Sequence, residues 1–227
     1  MSKVTAIVLS AGRGKRMGSD IPKQYLLIGD KPVIYYTLKA FEASAVDQVI
    51  LVTGAEDIDD CREKIVSAYG FHKVSRIVAG GAERFDSVYR GLIAAEGSDY
   101  VLIHDGARCM ITPDLIDRNI RCVMGKKACV TAVRSKDTIK LSDAEGYVAS
   151  TPPRKDCWII QTPQSFAYDQ ILAAYEAREA AGDDSVTDDA MVMERYGRGR
   201  IYLLEGDYSN IKITTPEDLA IAERYLC

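Results

Sequence analysis

The sequence has little from which to build a metal centre of its own. It holds only two histidines, His72 and His104, and its six cysteines (Cys61, Cys109, Cys122, Cys129, Cys157, Cys227) include no CxxC pair, which argues against a zinc site. It also lacks an excess of positive charge: 29 Lys plus Arg stand against 33 Asp plus Glu, a net charge of -4. That balance gives no general grip on a nucleic-acid backbone, so a nucleic-acid partner is not expected. Long apolar runs are missing as well. The amino-terminal stretch MSKVTAIVLSAGRGKRMG turns glycine-rich before it could span a bilayer, and it reads as a first strand, neither a signal peptide nor a membrane anchor. No repeat of fixed period and no low-complexity linker is present. Scattered thiols without a paired framework fit a reducing compartment, and a cytoplasmic setting is the expectation.

What is present is an alternation. Short apolar, β-branched runs at 4–9, 49–52, 74–78, 100–103 and 129–133 are separated by amphipathic stretches of helical length at 32–43, 58–69, 83–95 and 113–124. Near-continuous apolar strands between helices imply a sheet covered on both faces. The expected fold class is therefore α/β: a doubly wound, mostly parallel, Rossmann-like sheet in one domain over 1–227. The segment from about 135 to 158 departs from the pattern, with alternating polar and apolar residues, a turn at 143–146 and Pro152–Pro153. It reads as a projecting β-arm. Helices are expected again at 168–181 and 188–196, short strands near 200–204 and 210–213, and a last helix after a Thr215 cap with Pro216 at its first position.

In open doubly wound sheets ligands settle outside the carboxyl ends of the strands, which directs attention to the loops after Leu9, Val78 and Ile103. The first loop carries Ser10, Ala11, Gly12, Arg13, Gly14, Lys15, Arg16 and Gly18, with Lys23 just beyond. Glycines let main-chain N–H groups approach an anion, and the basic residues concentrate positive charge, a combination that suits a triphosphate. The loop is not a Walker A motif, because arginine follows Gly14–Lys15 where a magnesium-holding Ser or Thr belongs. Nor is it a dinucleotide fingerprint, since the third glycine falls on Met17 and Thr53–Gly54 end the second strand in place of an acidic residue. An ordinary strand-to-helix turn with solvated basic residues is the plain alternative.

LSAGRGKRMG followed by PKQYL resembles the amino-terminal signature of the cytidylyltransferases of isoprenoid precursor synthesis. VAGGAERFDSVYRGL, VLIHDGAR, KDTIK, WIIQTPQSF, VTDDA and NIKITTPEDLAIAE follow in the order of the 2-C-methyl-D-erythritol 4-phosphate cytidylyltransferase family. The resemblance implies transfer of CMP from CTP to a polyol phosphate with release of pyrophosphate. It assigns charge stabilisation to Arg16 and Lys23, nucleotide binding to Ser10, Ala11, Gly12, Gly14, Gly81, Ala82, Ser87 and Asp105, and a divalent cation, Mg2+, to Asp105. Arg154 and Lys212 are implied as the pair that orients the acceptor phosphate, with Arg108, Thr138, Thr162 and Thr187 as further acceptor contacts. The family's arm crosses a two-fold axis, so a homodimer completed by Thr138 and Arg154 is implied.

Ala82 stands where relatives often carry Asp, and Cys109 where they usually carry proline. For the individual residues, plainer roles remain open: a surface ion pair for Lys23, a capped helix start at 80–87, a turn cap for Asp105, and local hydrogen bonding for the threonines. His104 is read as structural, because an ionised phosphate nucleophile needs no strong base. A ribitol 5-phosphate cytidylyltransferase shares the fold; SAGRGKRMG and HDGAR favour the methylerythritol enzyme. A noncatalytic nucleotide-binding module is the reading from a different class.

Overall fold

The computed structural model describes residues 2–12 and 21–226. The elements follow in chain order: β1 (Val4–Ser10), β2 (Leu27–Ile28), β3 (Lys31–Pro32), α1 (Val33–Glu42), β4 (Gln48–Thr53), α2 (Ile58–Asp60), β5 (Val74–Ala79), α3 (Arg84–Ala94), β6 (Tyr100–Asp105) and α4 (Pro113–Lys126). The second half adds β7 (Ala128–Arg134), β8 (Leu141–Ser142), β9 (Val148–Ser150), β10 (Trp158–Ala167), α5 (Tyr168–Ala181), α6 (Asp189–Tyr196), β11 (Tyr202–Glu205) and α7 (Pro216–Leu226). The expected α/β class with a mostly parallel sheet is what forms. Among the described residues the main sheet has seven strands in the order β11-β7-β10-β6-β1-β4-β5, with β10 antiparallel to both of its neighbours.

Alternation along β1 explains the two layers of helices. Val4, Ala6 and Val8 pack with Ile34, Leu38 and Phe41 of α1 and Leu115, Ile116 and Ile120 of α4 on one face. Ile7, pointing the other way, packs with Val88 and Leu92 of α3, Ile171 and Tyr175 of α5, and Val192 of α6. Close approach of α3 to the sheet depends on Gly91, where a Cβ would sit 2.5 Å from the Ile7 side chain. Helix ends follow the sequence cues. Thr112 Oγ1 accepts the Leu115 N–H at 3.3 Å ahead of Pro113, Glu83 and Asp86 form a reciprocal capping box for α3, and α5 stops at Gly182 with φ 62°.

Three expectations need adjustment, and one, the helix starting at Pro216 after Thr215, is met with an added contact. The helix expected at 58–69 begins as α2 but is wound as a π-helix over Cys61–Ser67. Thr215 is held at the start of α7 by the Asp218 carboxylate, which accepts the N–H groups of Thr214 and Thr215 at 2.8 and 2.9 Å. The stretch 210–213 is irregular, not a strand. Ile213 donates its N–H to Ala107 O at 2.9 Å and Asn210 Nδ2 donates to Thr162 O at 2.9 Å, so single tertiary bonds replace a ladder there. Finally, Trp158 belongs to β10, a strand that the reading of an arm ending near 158 passes over. Between β7 and β10 the chain holds the small β8–β9 hairpin, exposed throughout, with Leu141, Tyr147 and Val148 turned to solvent.

Candidate functional site

Strand order reverses beside β1: the chain runs outward through β4 and β5, then returns to lay β6 on the other side. A doubly wound sheet opens its ligand crevice at such a reversal, outside the carboxyl ends of the adjacent strands. Register places Leu9 opposite Asp105 there. The crevice is lined by Ser10, Ala11 and Gly12 after β1, by Lys23, by Gly81, Ala82, Glu83, Arg84 and Ser87 at the start of α3, and by Asp105 and Lys212. Most of the expected nucleotide-binding residues are thus gathered in one place with both lysines. Gly14 and Arg16 lie outside the described residues.

Each wall has a local cause. Lys23 opens a single 3-10 turn, Lys23–Tyr25, pinned from below by Gln24, whose Nε2 donates to Ser10 O at 2.6 Å. Tyr25 anchors the same turn through its hydroxyl, 2.8 Å from both Thr53 Oγ1 and Cys61 Sγ. Lys23 Nζ donates to Ile213 O at 2.8 Å, so it meets the backbone segment that carries Lys212. At the start of α3, Ser87 Oγ accepts the Gly81 N–H at 3.0 Å and donates to Glu83 O at 3.1 Å, which fixes the glycine turn against the helix. Ser10 Oγ is buried with no partner among the described residues.

Asp105 is the electrostatic centre. Its Oδ2 lies 2.8 Å from Lys212 Nζ and its Oδ1 3.3 Å from Arg84 Nε. Burial alone would raise its pKa, but Arg84, Lys212 and Arg108 outweigh that and hold the carboxyl far below the ordinary range, so it is ionised. Arg84 is likewise opposed by burial, and the carboxylates of Asp189 and Asp105 overcome this and keep it charged.

Behind Asp105 a one-directional hydrogen-bond chain fixes the loop. Burial lowers the His104 pKa to about 4, so the ring is neutral. Thr162 Oγ1 accepts the Asp105 N–H at 3.1 Å and donates its proton to His104 Nδ1 at 2.9 Å, leaving Nε2–H to donate to Arg108 O at 3.3 Å. Thr162 therefore sits beneath the crevice, its hydroxyl engaged by the loop. Arg108 Nη1 donates to Asn210 O at 2.7 Å, and its buried Nε has no partner among the described residues. Cys109, at the position of a usual proline, is buried, and burial pushes its thiol up to about 12.

The remaining candidates stand apart from the crevice of their own chain. Thr138 is exposed, Arg154 is exposed with Nη1 donating to Lys136 O at 3.2 Å, and Thr187 is exposed with its hydroxyl 3.6 Å from Met191 Sδ. Thr187 borders a small cleft together with Arg84, Tyr175 and Asp188.

Arg84, Gln24, Asn210 and Asp189 were not singled out by the sequence reading. Arg84 left a trace there, since an arginine opening a helix is opposed by the helix dipole and needs a compensating partner. As to metal, no group of three or more His, Cys, Asp or Glu gathers among the described residues. Of the two carboxylates on the crevice wall, Glu83 caps α3 and Asp105 stands between cations. That donor set does not make a protein cage, but it fits a magnesium ion held mainly by substrate phosphates and water.

The chain matches the family model described as IspD, 2-C-methyl-D-erythritol 4-phosphate cytidylyltransferase, over residues 4–227. It is 51% identical over 226 residues to the 2-C-methyl-D-erythritol 4-phosphate cytidylyltransferase of Lachnoclostridium phytofermentans, covering 100% of this chain and 97% of the relative. It is 52% identical over 224 residues to that of Lachnospira eligens, covering 98% of each. Among solved structures, the 4-diphosphocytidyl-2C-methyl-D-erythritol synthase of Anaerococcus prevotii superposes with a TM-score of 0.87 at 35% identity, covering 99% of this chain and 96% of that one.

Proposed function

The chain belongs to the 2-C-methyl-D-erythritol 4-phosphate cytidylyltransferase family, and from that premise we propose how its residues carry out the reaction. It is a nucleotidyltransferase of the non-mevalonate isoprenoid pathway: it transfers CMP from CTP to 2-C-methyl-D-erythritol 4-phosphate, giving 4-diphosphocytidyl-2-C-methyl-D-erythritol and pyrophosphate. The observation that carries the residue assignment is the crevice at the strand reversal, whose wall Lys23 shares with the Lys212–Asp105 ion pair.

An oxygen of the acceptor phosphate attacks the α-phosphorus of CTP, forming one P–O bond as the bridge to the β-phosphate breaks and pyrophosphate leaves. The nucleophile is already ionised near pH 7, so the protein supplies position and charge and no base. Lys23 and Lys212, with Arg16 beyond the described residues, neutralise the phosphoryl oxygens as charge moves onto them. The turn at 80–82 and Ser87 meet the base. The unsatisfied Ser10 Oγ and the loop at 10–14 meet ribose and phosphates. Asp105 would hold Mg2+, which supplies further charge neutralisation when bound. Arg108, whose Nε donor is unspent, faces the acceptor phosphate together with Thr187, while Thr162 contributes through the loop it braces.

Pyrophosphate release measured with CTP, UTP, ATP and GTP against methylerythritol phosphate and ribitol 5-phosphate tests this reading. Turnover is expected with CTP and the methylerythritol acceptor. Equal use of all nucleotides would remove the base assignment, preference for ribitol phosphate would transfer the protein to the rival activity, and no release with any pairing would return it to a noncatalytic module.

Thr138 and Arg154 complete the site of a second copy in this reading. What supports it is that both are exposed and outside the crevice of their own chain, on an excursion whose hairpin presents Leu141, Tyr147 and Val148 to solvent. Sedimentation at assay concentration is expected to give a homodimer; a fully active monomer would overturn it. Among the described residues no helix is long and apolar enough to cross a membrane. The charged substrates suit a cytoplasmic setting.

A further inference from the structure

We propose that the Arg84–Asp189 ion pair is a positioning strut of the transfer site, setting where the turn around Thr187 stands relative to Asp105. The inference rests on the reading of that turn as part of the acceptor side.

Arg84 is the first residue of α3, where the helix amides disfavour a cation. Its guanidinium spans two carboxylates from distant parts of the chain. Nη1 and Nη2 fork onto Asp189 at 2.9 and 2.8 Å, and Nε reaches Asp105 at 3.3 Å. A planar fork on a carboxylate fixes direction as well as distance, which a single-point cation does not. Asp189 is fully buried and takes a further bond from the Tyr175 hydroxyl at 2.6 Å, so it cannot itself touch a substrate.

Asp189 is the first residue of α6, and the chain entering that helix is braced on its other side. Gln164 donates to Asp188 Oδ2 at 2.9 Å and accepts the Ala190 N–H at 2.8 Å. The turn is thereby tied to β10 by Gln164 and to the nucleotide crevice by Arg84. Thr187, two residues before Asp189, borders the same small cleft as Arg84 and Tyr175. Removing the fork leaves the β10 tie intact but frees the turn to shift with respect to Asp105. Asp105 itself keeps Lys212, so the nucleotide side stays in place.

Asp189→Asn and Tyr175→Phe test the strut without altering any residue that lines the nucleotide crevice. KM for the acceptor at saturating CTP, KM for CTP at saturating acceptor, and melting temperature are measured for each. Misplacement of the turn is expected to raise the acceptor KM about 10-fold in Asp189→Asn and about 3-fold in Tyr175→Phe, with the CTP value moved less than about 2-fold. A pair that only stabilises the fold would lower the melting temperature and leave both KM values native at temperatures where the protein is folded. That result would overturn the proposal, as would a CTP KM that rises as much as the acceptor's. If Asp189→Asn does not fold, Tyr175→Phe decides by the same criteria. Thr187→Val separates the two layers of inference: a native acceptor KM there, beside a raised one in Asp189→Asn, would remove Thr187 as the contact while upholding the strut.

Discussion

Lys212→Met is expected to lower turnover by about 10²- to 10³-fold, the cost of losing one donor aimed at charge that develops in the transition state. Methionine keeps the length and apolar stem of lysine, so the change removes the ammonium and little else. The side chain is about a third exposed and Asp105 retains Arg84, so the lost ion pair should cost less than about 1 kcal/mol of stability. The irregular stretch 210–213 that carries Lys212 is held by Asn210 and by the Ile213 backbone, neither of which the substitution touches. A chemical step measured by single-turnover pyrophosphate release, beside a thermal melt, separates the effects. Turnover within about threefold of native in a folded variant would show that this ammonium does not stabilise the transition state.

Asp105→Asn is expected to reduce turnover at least about 10²-fold and also to change how stability responds to acid. In the native protein the carboxyl is held far below its unfolded value, because Arg84, Lys212 and Arg108 together outweigh the burial that would raise it. A depressed folded pKa contributes stability that is present above the unfolded value of about 3.9 and is lost as pH falls through and below it. The asparagine variant has no such contribution to lose. It should be less stable at neutral pH, on the order of 1–3 kcal/mol, because Arg84 and Lys212 lose a charged partner and Arg108 a nearby countercharge. Its urea midpoint should then fall less than the native one between pH 7 and pH 3.5. Parallel pH curves for the two proteins would show that the cations leave this carboxyl unperturbed.

Much of this architecture was readable from residue order because it is driven by burial. The apolar runs at 4–9, 49–52 and 100–103 became central strands covered on both faces, and Thr215–Pro216 marked the start of the last helix through local chemistry. β10 was hidden by Pro163, which cannot donate to a ladder; the register between β10 and β7 shifts between Ile160 and Gln164, around it. The expected strand at 210–213 has the right residue types but finds no neighbour to pair with, only tertiary partners. At the site, glycines and lysines near strand ends stood out by type and spacing. Arg84 and Asp189 did not, because their meaning lies in a contact across 105 positions of sequence that no local pattern encodes. Thr162 was named only through the resemblance, as an acceptor contact, and its direction, inward to His104 and the Asp105 amide, came only with the fold.

The antiparallel course of β10 has an engineering consequence. β7 ends and β10 begins side by side, with Arg134 paired to Trp158 and the Ser135 N–H bonded to Cys157 O at 2.9 Å. Everything from 136 to 156 thus leaves and re-enters through one closed neck, and its length or sequence can change without rethreading the sheet. That segment is a natural cassette: exchanging it between relatives offers a way to test the proposed subunit pairing without altering any residue that lines the nucleotide crevice.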